Sequence, residues 1–222
     1  MTLRDPFGRE VKGLRIAVTS RCNLSCLYCH HEGEKAKPSS RPEISEDEIV
    51  TVVSAGEDMG ITKVKITGGE PLLRADLESI LERLPEGIEV SLTTNGLLLA
   101  ERARSLAEAG LDRVNVSLDS LRPEVYSRIT GGTEEDHRRV LEGIAAAVEA
   151  GLVPVKVNMV VLKENEEEVW EMVKFARDRG VILQLIELMD LSGRGMGGDI
   201  SGIESELERR AERIVTRGLH RR

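Results

Sequence analysis

Four stretches of the chain repeat one hydrophobic pattern, in which a helical run ends at a glycine and a β-rich run follows. Each glycine stands where a helix would end in the left-handed conformation, which glycine adopts without steric penalty. The segments after the glycines are rich in Val and Ile, as buried strands are. Two further apolar runs, 14–19 and 90–94, raise the expected number of strands to about six. The glycines are Gly60, Gly110, Gly151 and Gly180.

The helical segments begin at recognisable capping sequences. Ser45 and Glu48 have the spacing of a capping box, which predicts a helix start at Ser45. Asn165 precedes the three glutamates 166–168, and acidic side chains favour the positive end of a helix. This acidic run therefore predicts a solvated helix start rather than a metal site.

Strand–helix alternation of this kind predicts an α/β fold with a parallel sheet and crossover helices. About six βα units fall short of the eight that close a full barrel, so we expect a partial, open parallel β/α barrel rather than a flat doubly wound sheet. We expect the 222 residues to form a single domain, 1–222. Within it, about 190–222 is expected to be a glycine-rich loop followed by a terminal helix at about 203–217.

Polar residues follow the predicted strands at their carboxyl ends. In parallel α/β architectures ligands bind at these ends, so we expect the polar residues to meet at one rim. The first strand leads directly into Cys22, which places the cysteines at the same rim. The other rim segments are Thr67–Glu70, Thr93–Gly96, Ser117–Ser120 and Glu187–Met189.

The charge balance narrows the class of partner. A formal charge of −8 argues against nucleic acid, which usually selects a basic surface. The start of the chain is too polar for a signal peptide, and no run approaches the ~20 apolar residues that span a bilayer. We therefore expect a cytoplasmic protein with neither nucleic acid nor membrane as partner. An anionic small substrate remains compatible if basic side chains converge, and the candidates near the start are Arg4, Arg9, Lys12, Arg15 and Arg21.

All cysteines of the chain lie in the stretch CNLSCLYCH, at Cys22, Cys26 and Cys29. The pattern C-x-x-C-H is also that of haem attachment, C-x-x-C can be a redox dithiol, and His30 or His31 could complete a zinc site. An odd number of closely spaced thiols in a reducing compartment favours a ligand set over disulfides. An iron–sulfur cluster held by three thiolates uses every cysteine and leaves one iron open, so the pattern favours this interpretation over the others.

The motif C-x-x-x-C-x-x-C after a first strand, with Gly-Gly-Glu-Pro after a second, resembles the radical S-adenosylmethionine superfamily. Further stretches are similar to the GTP 3′,8-cyclase family of molybdenum cofactor biosynthesis. The resemblance runs from about residue 5 to about residue 195. The stretches that carry it are GLRIAVTSRCNLSCLYC, KITGGEPLLR, LTTNG, VNVSLDS, ITGG, KVNMVV and IELM.

The resemblance implies a cluster, a cofactor and a radical reaction. Cys22, Cys26 and Cys29 would bind one [4Fe-4S] cluster, whose open iron would bind S-adenosylmethionine. Reductive cleavage of this cofactor would give a 5′-deoxyadenosyl radical that takes the 3′ hydrogen of GTP, and the resulting carbon radical would attack C8 of guanine. The positions implied for S-adenosylmethionine are Tyr28, Gly69, Ser117 and Met189, with Gly68 and Glu70 beside them. Glycine at such a turn lets the backbone approach a ligand closely, with amides available for its carboxylate.

For GTP the resemblance implies three cations and a hydroxyl, which suit a triphosphate. They are Arg15, Lys65, Thr93 and Lys156. Family members often carry arginine where this chain has Lys65, and lysine keeps the charge without the bidentate geometry. The expected partners are an unidentified electron donor and, downstream, cyclic pyranopterin monophosphate synthase.

The sequence departs from the family pattern after Cys29, because it contains no later cysteine. The family has a C-terminal region whose three further cysteines hold a second cluster that engages guanine. Either a truncated cyclase or a single-cluster radical enzyme with another substrate would explain the departure, and a metal-binding electron-carrier module is the alternative from another class. We expect S-adenosylmethionine chemistry to survive in this chain and GTP cyclisation to be impaired.

Overall fold

The computed structural model describes residues 2–29, 43–189 and 195–215. Six strands form one sheet in which every neighbouring pair is parallel and the spatial order is the order in the sequence. The strands are β1 (Gly13–Ala17), β2 (Lys63–Thr67), β3 (Glu89–Thr94), β4 (Arg113–Ser117), β5 (Lys156–Val161) and β6 (Ile182–Glu187).

Helices connect the strands, as parallel pairing requires. The α-helices are α1 (Glu46–Asp58), α2 (Leu77–Glu82), α3 (Leu99–Glu108), α4 (Pro123–Thr130), α5 (Glu134–Glu149), α6 (Val169–Arg179) and α7 (Ile200–Arg210). Short 3₁₀ helices lie at Pro71–Leu73 and Glu166–Glu168. The sheet is open, with β1 and β6 at its two edges, and this confirms the predicted fold class. A single domain spanning 1–222 stays a prediction.

The two faces of the sheet differ in chemistry because side chains alternate along a strand. One face is aliphatic and packs with the helices in the main core, as Ile66, Leu92 and Val116 do. The residues at the alternate positions form the opposite face, here called the polar face: Arg15, Lys63, Lys65, Glu89, Ser91, Thr93, Arg113, Asn115, Ser117, Lys156 and Asn158.

Local signals in the sequence produce the predicted boundaries. All four helix-ending glycines have positive φ, between 65° and 103°. Ser45 accepts a hydrogen bond from the Glu48 amide, and the Glu48 carboxylate accepts one from the Ser45 amide, so the capping box is present. Among the described residues no helix is both long and apolar enough to cross a bilayer.

The acidic run after Asn165 differs from the prediction of a solvated helix start. The Asn165 side chain makes no cap bond and instead donates to the Asp119 and Val160 carbonyls at 2.7 and 2.9 Å. Glu168 is 1% exposed and accepts from the Ser120 hydroxyl and the Leu121 amide. The prediction of a solvated run is therefore wrong at Glu168, because this carboxylate finds buried donors on the loop after β4.

The last helix is also displaced from its predicted position. It covers Ile200–Arg210 rather than about 203–217, and Asp199 caps it by accepting from the Gly202 amide. Charged residues of both signs alternate through this region, so the sequence pattern did not indicate that the helix begins after Asp199. Residues 190–194 and 216–222 of the predicted loop and helix lie outside the described residues.

Candidate active site

The loop that carries the cysteines follows β1 and is fixed by its backbone to the end of α4. The Ser25 amide donates to the Thr130 carbonyl at 2.9 Å, and the Leu27 amide donates to the Ile129 carbonyl at 2.8 Å. These two hydrogen bonds fix the backbone of the cysteine loop against the helix end, and they thereby limit where its thiols can lie. His30 and His31, which could complete a zinc site in the alternative interpretation, lie outside the described residues.

The three thiols are free, and each influences another electrostatically. Cys22 and Cys26 are partly buried, whereas Cys29 is exposed. Burial raises the pKa of the Cys22 thiol, and the nearby Glu70 and Cys29 raise it further. Burial likewise raises the pKa of the Cys26 thiol to about 12, with additional effects of Asp119 and the other two cysteines. Metal binding therefore has to displace protons from these thiols.

The donor set fits an iron–sulfur cluster. Thiolates are the ligands of such clusters. Among the described residues no three His, Cys, Asp or Glu side chains surround one point as the ligands of one ion do. A four-iron cluster is wider than an ion and meets its thiolates at separate corners, which suits Cys22, Cys26 and Cys29 on one loop.

Tyr28 is held in place by Asp119, a residue that the motif assignment did not include. Its hydroxyl donates to Oδ2 of Asp119 at 2.6 Å, while Oδ1 accepts from the Val160 amide at 2.9 Å. Asp119 is 1% exposed, and burial raises the pKa of its carboxyl to about 6. The signal in the sequence was a carboxylate directly after a buried strand, in the rim segment Ser117–Ser120.

We expect the exchange Asp119→Ala to destabilise the fold by about 2–4 kcal/mol. It leaves the Tyr28 hydroxyl and the Val160 amide without their acceptor, and each unsatisfied buried group costs about 1–3 kcal/mol. The matched variant Tyr28→Phe removes one donor and keeps the bond from Val160, so its cost should be about 1 kcal/mol. Equilibrium urea unfolding measures both, and equal values for the two variants would contradict the two-sided role of Asp119.

The turn after β2 lies against the backbone of the cysteine loop. A Cβ on Gly68 would lie 2.4 Å from the Thr19 carbonyl oxygen, and one on Gly69 would lie 2.2 Å from that of Arg21. The Gly69 amide donates to Thr19 and the Glu70 amide to Arg21, at 2.8 and 2.7 Å. The expectation that the Gly69 amide is free for a ligand carboxylate is therefore wrong, because the cysteine loop already uses it.

Glu70 connects this turn to the loop after β3. Its carboxylate accepts from the Leu72 amide, the Thr94 hydroxyl and the Asn95 amide, at 2.7–2.9 Å. The side chain is 1% exposed, and burial raises the pKa of its carboxyl despite these donors. Capping is thus an observed role of Glu70, and contact with the cofactor stays a prediction.

Two further contacts complete the network around the cysteine loop. The Asn95 side chain donates to Oδ1 of Asn23 at 2.7 Å, which joins the loop after β3 to the cysteine loop. Arg74, a buried residue that the sequence did not single out, donates to the carbonyls of Val18 and Ile44 at 2.9 and 2.7 Å. The loops after β1, β2, β3 and β4 are therefore one connected rim, as predicted from strand order.

Two residues predicted to bind S-adenosylmethionine lie at strand ends of this rim. Ser117 is the last residue of β4 and is partly buried. Met189 follows β6 by two positions and is 76% exposed, so a packing role does not explain it. Their contact with the cofactor stays a prediction.

The predicted GTP residues share the polar face. Arg15 and Lys65 are register partners on β1 and β2. Burial lowers the pKa of the Lys65 ammonium, and the nearby charges of Arg15, Lys156 and Arg113 lower it further. Thr93 accepts from the Asn115 side chain at 3.4 Å, and Asn115 is the register partner of Lys156. The structure therefore brings the four predicted residues together.

The other basic residues near the start do not join this cluster as free cations. They pair with carboxylates at 2.5–3.0 Å, and these carboxylates are Asp5, Glu10 and, for Arg21, Glu43. Of the five candidates, Arg15 is the one on the polar face; the paired residues are Arg4, Arg9, Lys12 and Arg21.

Comparison with known proteins agrees with this geometry. The sequence profile of the Radical SAM superfamily matches residues 16–176. A protein of Methanosarcina acetivorans named probable GTP 3′,8-cyclase is 51% identical, over 99% of this chain and 68% of its own length. A protein of the same name from Archaeoglobus fulgidus is 50% identical, over 99% of this chain and 75% of its own length.

Solved structures share the fold at low identity. Streptococcus suis SuiB bound to S-adenosylmethionine has a TM-score of 0.73 and 20% identity, over 90% of this chain and 48% of that chain. Native anSMEcpe with bound AdoMet has a TM-score of 0.65 and 22% identity, over 80% of this chain and 51% of that chain. With the profile match and the relatives at about half identity, the chain belongs to the radical S-adenosylmethionine superfamily and, within it, to the GTP 3′,8-cyclase family.

Proposed function

We propose that this chain is the catalytic core of a GTP 3′,8-cyclase, a lyase that converts GTP to (8S)-3′,8-cyclo-7,8-dihydroguanosine 5′-triphosphate in molybdenum cofactor biosynthesis. One observation carries the proposal: the cysteine loop and a cluster of cations belong to the same sheet. The cysteines follow the carboxyl end of β1, and Arg15, Lys65 and Lys156 lie on the polar face of the sheet. An electron carrier has no use for such a cationic face.

The cysteine residues would hold the cofactor that initiates the reaction. Cys22, Cys26 and Cys29 supply three thiolates for one [4Fe-4S] cluster. When bound, this cluster supplies the electron that cleaves S-adenosylmethionine to methionine and a 5′-deoxyadenosyl radical. Tyr28, fixed by Asp119, offers a flat side chain beside the thiols for the cofactor. Ser117 and Met189 flank the same rim, at the ends of β4 and β6.

The residues of the polar face would hold the nucleotide. Charge-assisted bonds from Arg15, Lys65 and Lys156 to phosphate oxygens are the strong kind, and Thr93 adds a neutral hydroxyl. Burial lowers the pKa of Lys65, and the like charges of Arg15, Lys156 and Arg113 lower it further. A bound triphosphate would offset this repulsion between like charges. Fixing the phosphates also fixes the ribose, and proximity of its 3′ carbon to the radical accounts for selective hydrogen removal.

The reaction requires partners that we propose from its chemistry. An electron donor has to reduce the cluster, and cyclic pyranopterin monophosphate synthase would consume the product. Free thiols at Cys22, Cys26 and Cys29 suit the cytoplasm, where thiols stay reduced.

Anaerobic reconstitution with iron and sulfide tests the proposal. We expect about four irons per chain and formation of 5′-deoxyadenosine from S-adenosylmethionine under a chemical reductant. Added GTP should increase 5′-deoxyadenosine formation, and transfer of deuterium from 3′-deuterated GTP into 5′-deoxyadenosine should show the site of hydrogen removal. The cyclised nucleotide is measured in the same reaction.

Bound zinc without cofactor cleavage would refute the radical mechanism. Cofactor cleavage without deuterium transfer from GTP would retain the superfamily chemistry and exclude GTP as substrate. Cyclised product at a normal turnover rate would confirm the cyclase and overturn the expectation that cyclisation is impaired in this chain.

A further inference from the structure

The polar face contains a cation that none of the predicted substrate positions includes. Arg113 is the first residue of β4 and the register partner of Ser91, which is itself the partner of Lys65. Arg15, Lys65, Ser91 and Arg113 therefore form one row across β1 to β4. Within this row the three basic side chains lie on the same face of the sheet.

The guanidinium of Arg113 is held by a carboxylate and keeps one donor without a partner. One terminal nitrogen pairs with Oε1 of Glu89, whose Oε2 pairs with Lys63 at 2.7 Å. The Nε atom is buried and has no hydrogen-bond partner among the described residues. Buried N–H groups normally have partners, and an exception requires an explanation. A bound ligand with acceptor oxygens would provide the missing partner.

The charge of this part of the polar face calls for an anion with several charges. Among the strand residues that the structure places on this face, five are cations and one is a carboxylate, Glu89. The cations are Arg15, Lys63, Lys65, Arg113 and Lys156. This surplus of positive charge occurs in a chain whose formal charge is −8. Glu89 neutralises part of it and orients Arg113 without occupying the Nε donor.

The row of Arg113 lies far from the carboxyl rim along the strands. Arg113 and Ser117 are the first and last residues of β4, and four residues of strand span about 13 Å. The reacting ribose has to lie near the carboxyl rim, where Ser117 and the cysteine loop are. The phosphate chain would then extend along the strands toward the row of Arg113. Its terminal phosphate, which is farthest from the ribose, would lie nearest to this row.

We propose that Arg113 is a further substrate-binding residue that recognises the terminal phosphate of the nucleoside triphosphate, with Glu89 as its positioning residue. The inference rests on the proposed function and deepens it, since it assigns selection for a triphosphate over a monophosphate to a named side chain. Arg113 then supplies its Nε–H to a phosphate oxygen while Glu89 keeps its bond.

Anaerobic calorimetry of the reconstituted chain with GTP and GMP tests the assignment. We expect Arg113→Gln to weaken GTP binding roughly 10- to 100-fold, the range for one or two charge-assisted bonds, and to leave GMP binding within about twofold. Arg113→Lys keeps the charge and the pair with Glu89 and should lie between wild type and Arg113→Gln. The matched control is Arg104→Gln, because Arg104 is 90% exposed on α3 and pairs with Glu108.

The two ligands separate a phosphate contact from a structural role. Unchanged GTP affinity in Arg113→Gln, or equal losses for GTP and GMP, would overturn the assignment. If Arg113→Gln does not fold, the comparison of GTP with GMP in Arg113→Lys decides by the same criterion. Failure of the wild-type chain to bind GTP at all would instead overturn the proposed function.

Discussion

Exchange of Cys26 for serine should abolish formation of 5′-deoxyadenosine, with a loss of at least about 100-fold, and should lower the bound iron well below about four per chain. Cys26 is partly buried, and this burial raises the pKa of its thiol to about 12, so its surroundings disfavour a charged thiolate. Binding of a cluster would replace the thiol proton of Cys26 with iron. A serine hydroxyl ionises far less readily than a thiol, so it would keep its proton and would not bind the iron. Iron analysis and chromatography of the reaction products measure both effects.

A neighbouring variant separates loss of a ligand from damage to the loop. Ser25→Ala leaves the Ser25 amide bonded to Thr130 and should retain iron and activity near wild type. Serine is close in size to cysteine, so Cys26→Ser should keep its thermal unfolding temperature in the metal-free state. Full iron content and normal cofactor cleavage in Cys26→Ser would show that Cys26 is not a cluster ligand.

Exchange of Gly69 for alanine should destabilise the fold by about 3 kcal/mol or more and remove cofactor cleavage. The new Cβ would lie 2.2 Å from the Arg21 carbonyl oxygen and 2.8 Å from that of Ser20. Both contacts are with backbone, so no side chain can rotate away, and the turn after β2 has to separate from the cysteine loop. This separation breaks the bonds from Gly69 to Thr19 and from Glu70 to Arg21.

Gly13→Ala is the matched control for this steric effect. A Cβ on Gly13 meets no atom within 4 Å, and neither Gly13 nor Gly69 has positive φ. The control should change the free energy of unfolding by no more than about 0.5 kcal/mol. Chemical unfolding of both variants measures the difference, and equal stabilities would contradict the close approach of the two loops.

The network at the rim explains why Gly69 matters beyond its own contacts. Its turn is connected through Glu70 to the loop after β3, and Asn95 continues the connection to Asn23 beside Cys22. Asp119 joins the other side of the cysteine loop to β4 and β5 through Tyr28 and Val160. The thiols are therefore held from both sides before any cluster is bound, which is the preorganisation that a catalytic site requires.

Local patterns in the sequence were enough to predict the fold class and the position of the site. Hydrophobic periodicity and helix-ending glycines act through residues that are close together in the sequence. They can therefore be recognised without knowledge of tertiary contacts. Parallel strand order then places Cys22 and the segments after β2, β3 and β4 at one rim. The spacing of the cysteines and the resemblance to a family together identified the chemistry.

Tertiary structure alone decided how the predicted residues are used. Gly69 is required because another backbone lies against it, and Asn165 and Glu168 are drawn inward by donors and acceptors near Asp119 and Ser120. Arg113 became a candidate only when strand register placed it in the row of Lys65 and left its Nε buried. These roles depend on partners that are distant in sequence, and a pattern read along the chain carries no record of which distant groups meet.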